Sequence, residues 1–342
     1  MKTVYSDAHA LHDPQHFLVR GKLRRTHERP ERARRLLDAV AADGYPVLTP
    51  SDHGLAPIEA IHTRAYLQFL QTAHARWREL DDASDEVRPN IHPFPGQPVN
   101  YPESVIGQAG YHLGDGACPI GPRTWEAAHA SAQVAAHAAR LVVDGERAVY
   151  ALCRPPGHHA YADRANGFCY LNNTAIAAQV LRQAHARVAI LDIDVHHGNG
   201  TQGIFYRRRD VLTISLHRDT RDFTPFFTGH AHERGEADGE GYNLNLPLPR
   251  GTDDEAYLAA LHGACERIRA FSPGALVVAL GLDAHEHDPY QSLAITTTGF
   301  FRIAAEIGRL GLPTTLVQEG GYLSDSLGRN LSSALRGFLS TA

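Results

Sequence analysis

No two of the four cysteines, Cys118, Cys153, Cys169 and Cys265, stand at Cys-x-x-Cys spacing, which argues against a zinc ribbon or a disulfide framework and predicts reduced, mostly buried thiols. No apolar run reaches the length that spans a bilayer. The start "MKTVYSDAH" also lacks the charged, apolar and small-residue segments of a secretion signal, so the expectation is a cytoplasmic protein with no membrane partner. Neither sign of charge dominates: 33 Lys and Arg against 38 Asp and Glu leave a net charge of −5, which speaks against a nucleic-acid surface and mildly favours small cationic partners. With 43% hydrophobic and 21% charged residues the chain is not disordered, and its 342 residues suffice for a large core.

Histidine, by contrast, is plentiful, with 22 residues. It is both the commonest metal ligand and the side chain that titrates near neutral pH. Most of these must still be structural, and His27, His53, His62, His74, His129, His137 and His185 read so, because they lie in helical or loop segments without a partner group nearby.

The stretch "VAILDIDVHHGNGTQ", Val188 to Gln202, organises the rest. Val188 to Leu191 read as a strand buried on both faces. Asp192, Asp194 and His196 follow at the period of an extended chain, which suits metal ligation at a strand end better than a solvated turn closed by "GNG". Further strands are expected at Thr3 to Ser6, in "YPVLTP", and at 148–153, 211–217, 275–283 and 314–322. Helices are expected at 27–40, 61–77, 125–143, 172–185, 254–271 and 298–310. Alternating apolar strands and helices imply a parallel sheet whose ligands bind beyond the C-terminal strand ends. Residues 79–122, rich in Pro, Gly and polar residues but carrying Phe94, Tyr101 and Tyr111, read as a long insertion that packs against something rather than as a linker.

Four strand ends carry polar clusters: "RPPGHHA", "DIDVHHGNG", "GLDAHEHDP" and "EGGY". Asp194, His196 and Asp283 suit one divalent ion with an open position, zinc first, with Fe(II), Mn(II) or Co(II) compatible. His158 and His159 supply imidazoles for base and acid roles, and Tyr322, behind two glycines, a phenol for a developing oxyanion. That is equipment for hydrolysing an unactivated amide or ester.

The motifs "RPPGHHA", "GFCYLNN", "ILDIDVHHGNGTQ", "TISLH", "GLDAHEHDP" and "EGGY" resemble the histone deacetylase superfamily, and in particular its bacterial acetylpolyamine amidohydrolase branch. "RPERA" and "IHTRAYLQFL" resemble the family's N-terminal part, so the likeness covers nearly the whole chain. The resemblance implies an α/β fold of the arginase/deacetylase type, a single domain over residues 1–342 with a central eight-stranded parallel β-sheet and helices on both faces. It also implies zinc on Asp194, His196 and Asp283, the pair His158 and His159 as acid and base, and Tyr322 as electrophile. A structural potassium ion would sit on Asp192, Asp194, His196, Ser215 and Leu216. Behind the tandem pair it puts Asp192 on His158 and Asn199 on His159; an amide stabilises imidazolium less than a carboxylate does, so His159 is expected to be the base.

For the substrate, the resemblance implies a narrow apolar tunnel, with Gly167, Phe168, Phe223 and Phe226 as its expected walls. Packing in the core is the rival reading for Phe226 and Phe227. The insertion would narrow the entrance as part of a homodimer. Where polyamine members carry acidic residues, this chain has Ile106 and Ala117; Asp115 and Glu103 stand nearby as possible substitutes for reading the distal ammonium. Small acetylated amines such as acetylputrescine, acetylcadaverine or acetylspermidine are the expected substrates. A lysine deacetylase is the alternative; an arginase-type ureohydrolase and a non-catalytic metal binder fit the residue set less well.

Overall fold

A computed structural model describes every residue of the chain except Pro95 and Gln97, two positions of the 79–122 insertion. The strands are β1 (Lys2–Val4), β2 (His16–Val19), β3 (Lys22–Arg25), β4 (Val47–Leu48), β5 (Ala148–Ala151), β6 (Val188–Asp192), β7 (Val211–Arg218), β8 (Asn243–Leu248), β9 (Ala275–Leu280) and β10 (Thr314–Gln318). The helices are α1 (Pro30–Ala42), α2 (Ala56–Glu59), α3 (Arg64–Trp77), α4 (Val105–His112), α5 (Thr124–Val143), α6 (Asn173–Arg182), α7 (Asn199–Phe205), α8 (Asp254–Phe271), α9 (Thr297–Gly308) and α10 (Leu327–Leu339).

Eight strands form one parallel sheet in the order β4-β1-β5-β10-β9-β6-β7-β8, while β2 and β3 pair separately as an antiparallel hairpin. The absence of polar alternation in the central strands has a direct cause. In β6, Val188 and Ile190 enter the core on one side of the sheet while Ala189 and Leu191 enter the core on the other. α3, α5 and α6 cover the first side, and α1, α8, α9 and α10 the second. Both faces being dry at β6, Val188 to Leu191 are all apolar, and the polar residues begin at Asp192, where the strand ends.

Four neighbouring strands, β5, β10, β9 and β6, therefore release their polar residues at one edge, side by side. These are the strands whose ends carry the four motifs.

Several elements depart from the sequence reading. The insertion is not structureless: it contains α4, and Val87 pairs with Ile120 across its base. The hairpin, β8, α7 and α10 are additional, and the "GNG" segment enters a helix rather than a turn. All four cysteines are buried and unpaired. Among the described residues no helix is long and apolar enough to cross a membrane.

Candidate active site

β6 ends at Asp192, and the chain beyond it turns its polar side chains into the protein. Asp194, His196 and Asp283 each offer a ligand atom, all within 4.8 Å of one another, and all three are buried. His196 Nδ1 lies 3.1 Å from Asp194 Oδ1 and 3.2 Å from Asp283 Oδ2. Asp194 is fixed by the Gly320 N–H on Oδ2 at 2.7 Å, and Asp283 by the Val195 N–H on Oδ1 at 3.0 Å. Apart from that His196 contact, the buried Asp283 Oδ2 has no polar partner among the described residues.

That orphaned oxygen, beside a second carboxylate and an imidazole, suits a divalent cation: burial of such a set is costly until a positive charge compensates it. Even without a cation the two carboxylates overcome burial and raise His196 to about 9. Gly320 completes the cradle, since a Cβ there would lie 2.2 Å from Asp283 Oδ2 and 2.5 Å from Asp194 Oδ2.

The tandem histidines stand beside this cluster with ring centroids 4.0 Å apart. Their loop is held by Glu319, whose carboxylate accepts from the N–H groups of Gly157 and His158 and from the Thr174 hydroxyl. Burial pushes the Glu319 carboxyl up to about 7. Asn172, the N-cap of α6, donates to the Ala160 carbonyl and so fixes the far end of the same loop.

The partners of the two imidazoles differ. His158 Nδ1 donates to Asp192 Oδ2 at 2.9 Å, and His159 Nδ1 to Asn199 Oδ1 at 2.7 Å. Burial disfavours the charged form of both. For His158 the charges of Asp192 and Asp194 outweigh burial and hold it well above its ordinary value. For His159 burial and then the neighbouring His158 and His196 hold it well below.

Tyr322 is buried and its position is set by neighbours far away in sequence. Arg32 donates to the carbonyls of Gly321 and Glu319 at 2.6 and 2.7 Å and places its guanidinium 4.7 Å from the Tyr322 ring centre. Asp288 accepts the Tyr322 N–H. Burial raises the phenol well above its usual value, so it is a hydrogen-bond donor throughout the neutral range.

Of the expected wall residues, Phe223 stacks on His196 with centroids 5.0 Å apart, and Phe168 packs near Tyr322. Gly167, at φ +53°, lies against His159, where a Cβ would meet Cδ2 at 2.4 Å. Phe226 and Phe227 are 51% and 88% exposed, so neither packs in the core, and Phe226 shows no ring contact with the site among the described residues. Asp115 spends both oxygens on the N–H groups of Ala117 and Gly167. Glu103 is exposed in the insertion, its carbonyl anchored by Arg76. Asp192, Asp194, His196, Ser215 and Leu216 gather at the adjoining ends of β6 and β7, with Asp192 opposite Ser215. The buried carbonyls of Asp194 and His196 receive no hydrogen bond among the described residues.

Three residues of the site escape sequence reading: Asp288, Tyr290 and His27. Tyr290 stands edge-on to His196 at 4.9 Å and to Tyr322 at 5.1 Å. His27 is no isolated loop residue; its ring lies 5.6 Å from that of Tyr290 and 6.2 Å from that of Tyr322. Only the position of Asp288 and Tyr290, a few residues after Asp283, hinted at a role.

The histone deacetylase domain family matches residues 26–338. The chain belongs to the histone deacetylase family. It is 50% identical over 339 residues to the acetylpolyamine amidohydrolase of Burkholderia pseudomallei, covering 99% of this chain and 98% of that one. To acetylpolyamine amidohydrolase 1 of Pseudomonas aeruginosa it is 45% identical, with 99% of each chain covered. The crystal structure of the Burkholderia pseudomallei acetylpolyamine aminohydrolase, from an iodide soak, superimposes with a TM-score of 0.96 at 49% identity over 99% of this chain and 98% of that one. These relatives place the chain in the bacterial polyamine deacetylase branch of the superfamily and make it a hydrolase of amide bonds. Membership also implies a divalent metal, which the donor set at Asp194, His196 and Asp283 accommodates.

Proposed function

We propose that this protein removes acetyl groups from small acetylated amines of the polyamine class, acetylputrescine, acetylcadaverine and acetylspermidine among them. The names of its relatives support the substrate class, and the unequal environments of His158 and His159 support the mechanism. Asp194, His196 and Asp283 would hold the metal, zinc first, which when bound supplies a Lewis acid for the amide carbonyl and lowers the pKa of water.

The protein groups divide the proton chemistry. His159, neutral and with its Nδ1 proton committed to Asn199, keeps Nε2 free to take a proton from the attacking water. His158, charged through Asp192, stabilises the negative charge that develops and is the group that can protonate the leaving amine. The Tyr322 hydroxyl donates to the oxyanion. Phe168 and Phe223 flank the alkyl chain, and Gly167 leaves room for it beside His159. Asp192, Asp194, His196, Ser215 and Leu216 would hold a structural potassium ion through main-chain oxygens, which the bond-free carbonyls of Asp194 and His196 support.

Residues 79–122 form the rim of the channel and a contact with a second copy of the chain. The exposed Ile91, Phe94, Val99, Tyr101 and Ile106 of that segment give it the apolar surface such a contact needs. Sedimentation at micromolar concentration is expected to give a homodimer; a monomer would overturn this part.

The central test is a competition panel of acetylated diamines, acetylspermidine, acetyllysine and short acetyllysine peptides with zinc-loaded protein. Acetylated amines are expected to be hydrolysed most efficiently. Preference for peptides would turn the assignment to a lysine deacetylase.

A further inference from the structure

The β2–β3 hairpin carries Arg20, Lys22, Arg24 and Arg25, all exposed, and none of the four forms an ion pair among the described residues. Its register fixes where two of them lie. Phe17 pairs with Arg24 and Val19 with Lys22, and directly opposed residues of an antiparallel pair share a face about 5 Å apart. Phe17 and Val19 belong to the cluster of Phe168, Tyr322, Ala117 and Tyr290. The face bearing Lys22 and Arg24 is thus the one turned to the mouth of the site. The hairpin is held there by the Leu18 N–H on the Gly116 carbonyl at 3.0 Å and by Arg88 on the His16 carbonyl at 2.9 Å.

The carboxylates near this mouth are already committed. Asp115 is taken by two backbone N–H groups, and Glu28 is buried between Arg32 and Arg154. Asp288 accepts from the N–H groups of Tyr290 and Tyr322. Lys22 and Arg24 are thus the exposed charges that this face presents without an ionic partner among the described residues, although the chain as a whole is negative. Over a Debye length of about 8 Å such exposed charges still act on a ligand entering between them.

We propose that the β2–β3 hairpin, through Lys22 and Arg24, selects among acetylated amines by the charge at their far end. It favours those with a single distal ammonium, or with a neutral or carboxylate-bearing end, over those with several ammonium groups. This rests on the reading that the site deacetylates small amines and names which of them it takes.

The experiment compares kcat/KM for acetylputrescine and acetylspermine, each relative to uncharged N-hexylacetamide, in wild type and in K22E/R24E. In the wild type, raising ionic strength from about 20 to about 300 mM is expected to raise kcat/KM for acetylspermine, because salt screens the repulsion. In K22E/R24E the acetylspermine to acetylputrescine ratio is expected to increase roughly tenfold and the salt dependence to reverse. Should the double reversal not fold, K22Q/R24Q is expected to give a smaller rise of the same sign. An unchanged ratio in a folded variant, or a wild-type acetylspermine rate that falls with salt, would overturn the proposal. Failure to hydrolyse any of the three amides would instead overturn the functional reading beneath it.

Discussion

Asp288 accepts the backbone N–H of Tyr322 on Oδ2 and that of Tyr290 on Oδ1, both at 2.9 Å. One buried carboxylate thus fixes the main chain of the phenol proposed to meet the oxyanion and of the aromatic wall beside it. An amide in its place can accept at only one oxygen and sets its NH2 group against the other N–H. Asp288→Asn is therefore expected to lower kcat about ten- to a hundredfold while KM changes little. Steady-state kinetics on acetylputrescine check this, and an unchanged kcat would show that Tyr322 is positioned without Asp288.

At Gly320, the backbone passes so close to Asp194 and Asp283 that any side chain displaces a carboxylate oxygen. Gly320→Ala is expected to abolish stoichiometric metal binding, measured by metal analysis after gel filtration, and to cut activity by roughly a hundredfold or more. Circular dichroism should remain that of the folded protein. Chelation of the wild type is expected to lower Tm together with activity, and zinc to restore both.

The part of the structure legible in the sequence is the part where one residue's environment is set by its neighbours in the chain. Val188 to Leu191 announce a doubly buried strand because four apolar residues in a row satisfy a sheet with two dry faces. β8 does not announce itself: Asn243, Asn245 and Pro247 oppose strand propensity, and the two asparagines are tolerated because their amides donate to Gln202 from across the fold. The amphipathic pattern of α10, with Leu327, Leu331, Ala334, Leu335 and Phe338 on one side, is present in the sequence and simply follows the last motif. Asp288 and His27 meet Tyr322 only through folding, which brings together residues far apart in the chain.

Three buried histidines make the fold sensitive to acid. His12 is held at about 3, and His62 and His217 at about 4, chiefly because burial excludes the charged form. The unfolded chain takes up these protons near pH 6.5 and the folded chain does not. Stability is present in full above pH 6.5 and is lost as pH falls toward 4, by on the order of 1.4 kcal/mol per pH unit for each group. His62 Nε2 accepts the Asn172 N–H at 2.9 Å, a bond that glutamine can also accept. His62→Gln is expected to flatten the decline of Tm between pH 6.5 and 4.5, and an identical slope would remove His62 from the account.

In the proposed mechanism the choice of base turns on Asn199. Its amide oxygen orients His159 without adding a charge, whereas the carboxylate of Asp192 favours the protonated form of His158. A carboxylate at position 199 would stabilise the imidazolium of His159, so that its proton is lost only at higher pH. In Asn199→Asp the acidic limb of the kcat/KM profile is therefore expected to move upward by about one pH unit or more, with activity recovering on the alkaline side. His159→Ala should lose activity across the whole range, while His158→Ala should retain a measurable remainder, because it removes an electrostatic partner and leaves the base. Equal and complete loss in the two alanine variants, with no shift in Asn199→Asp, would overturn the division of His159 as base and His158 as electrostatic partner.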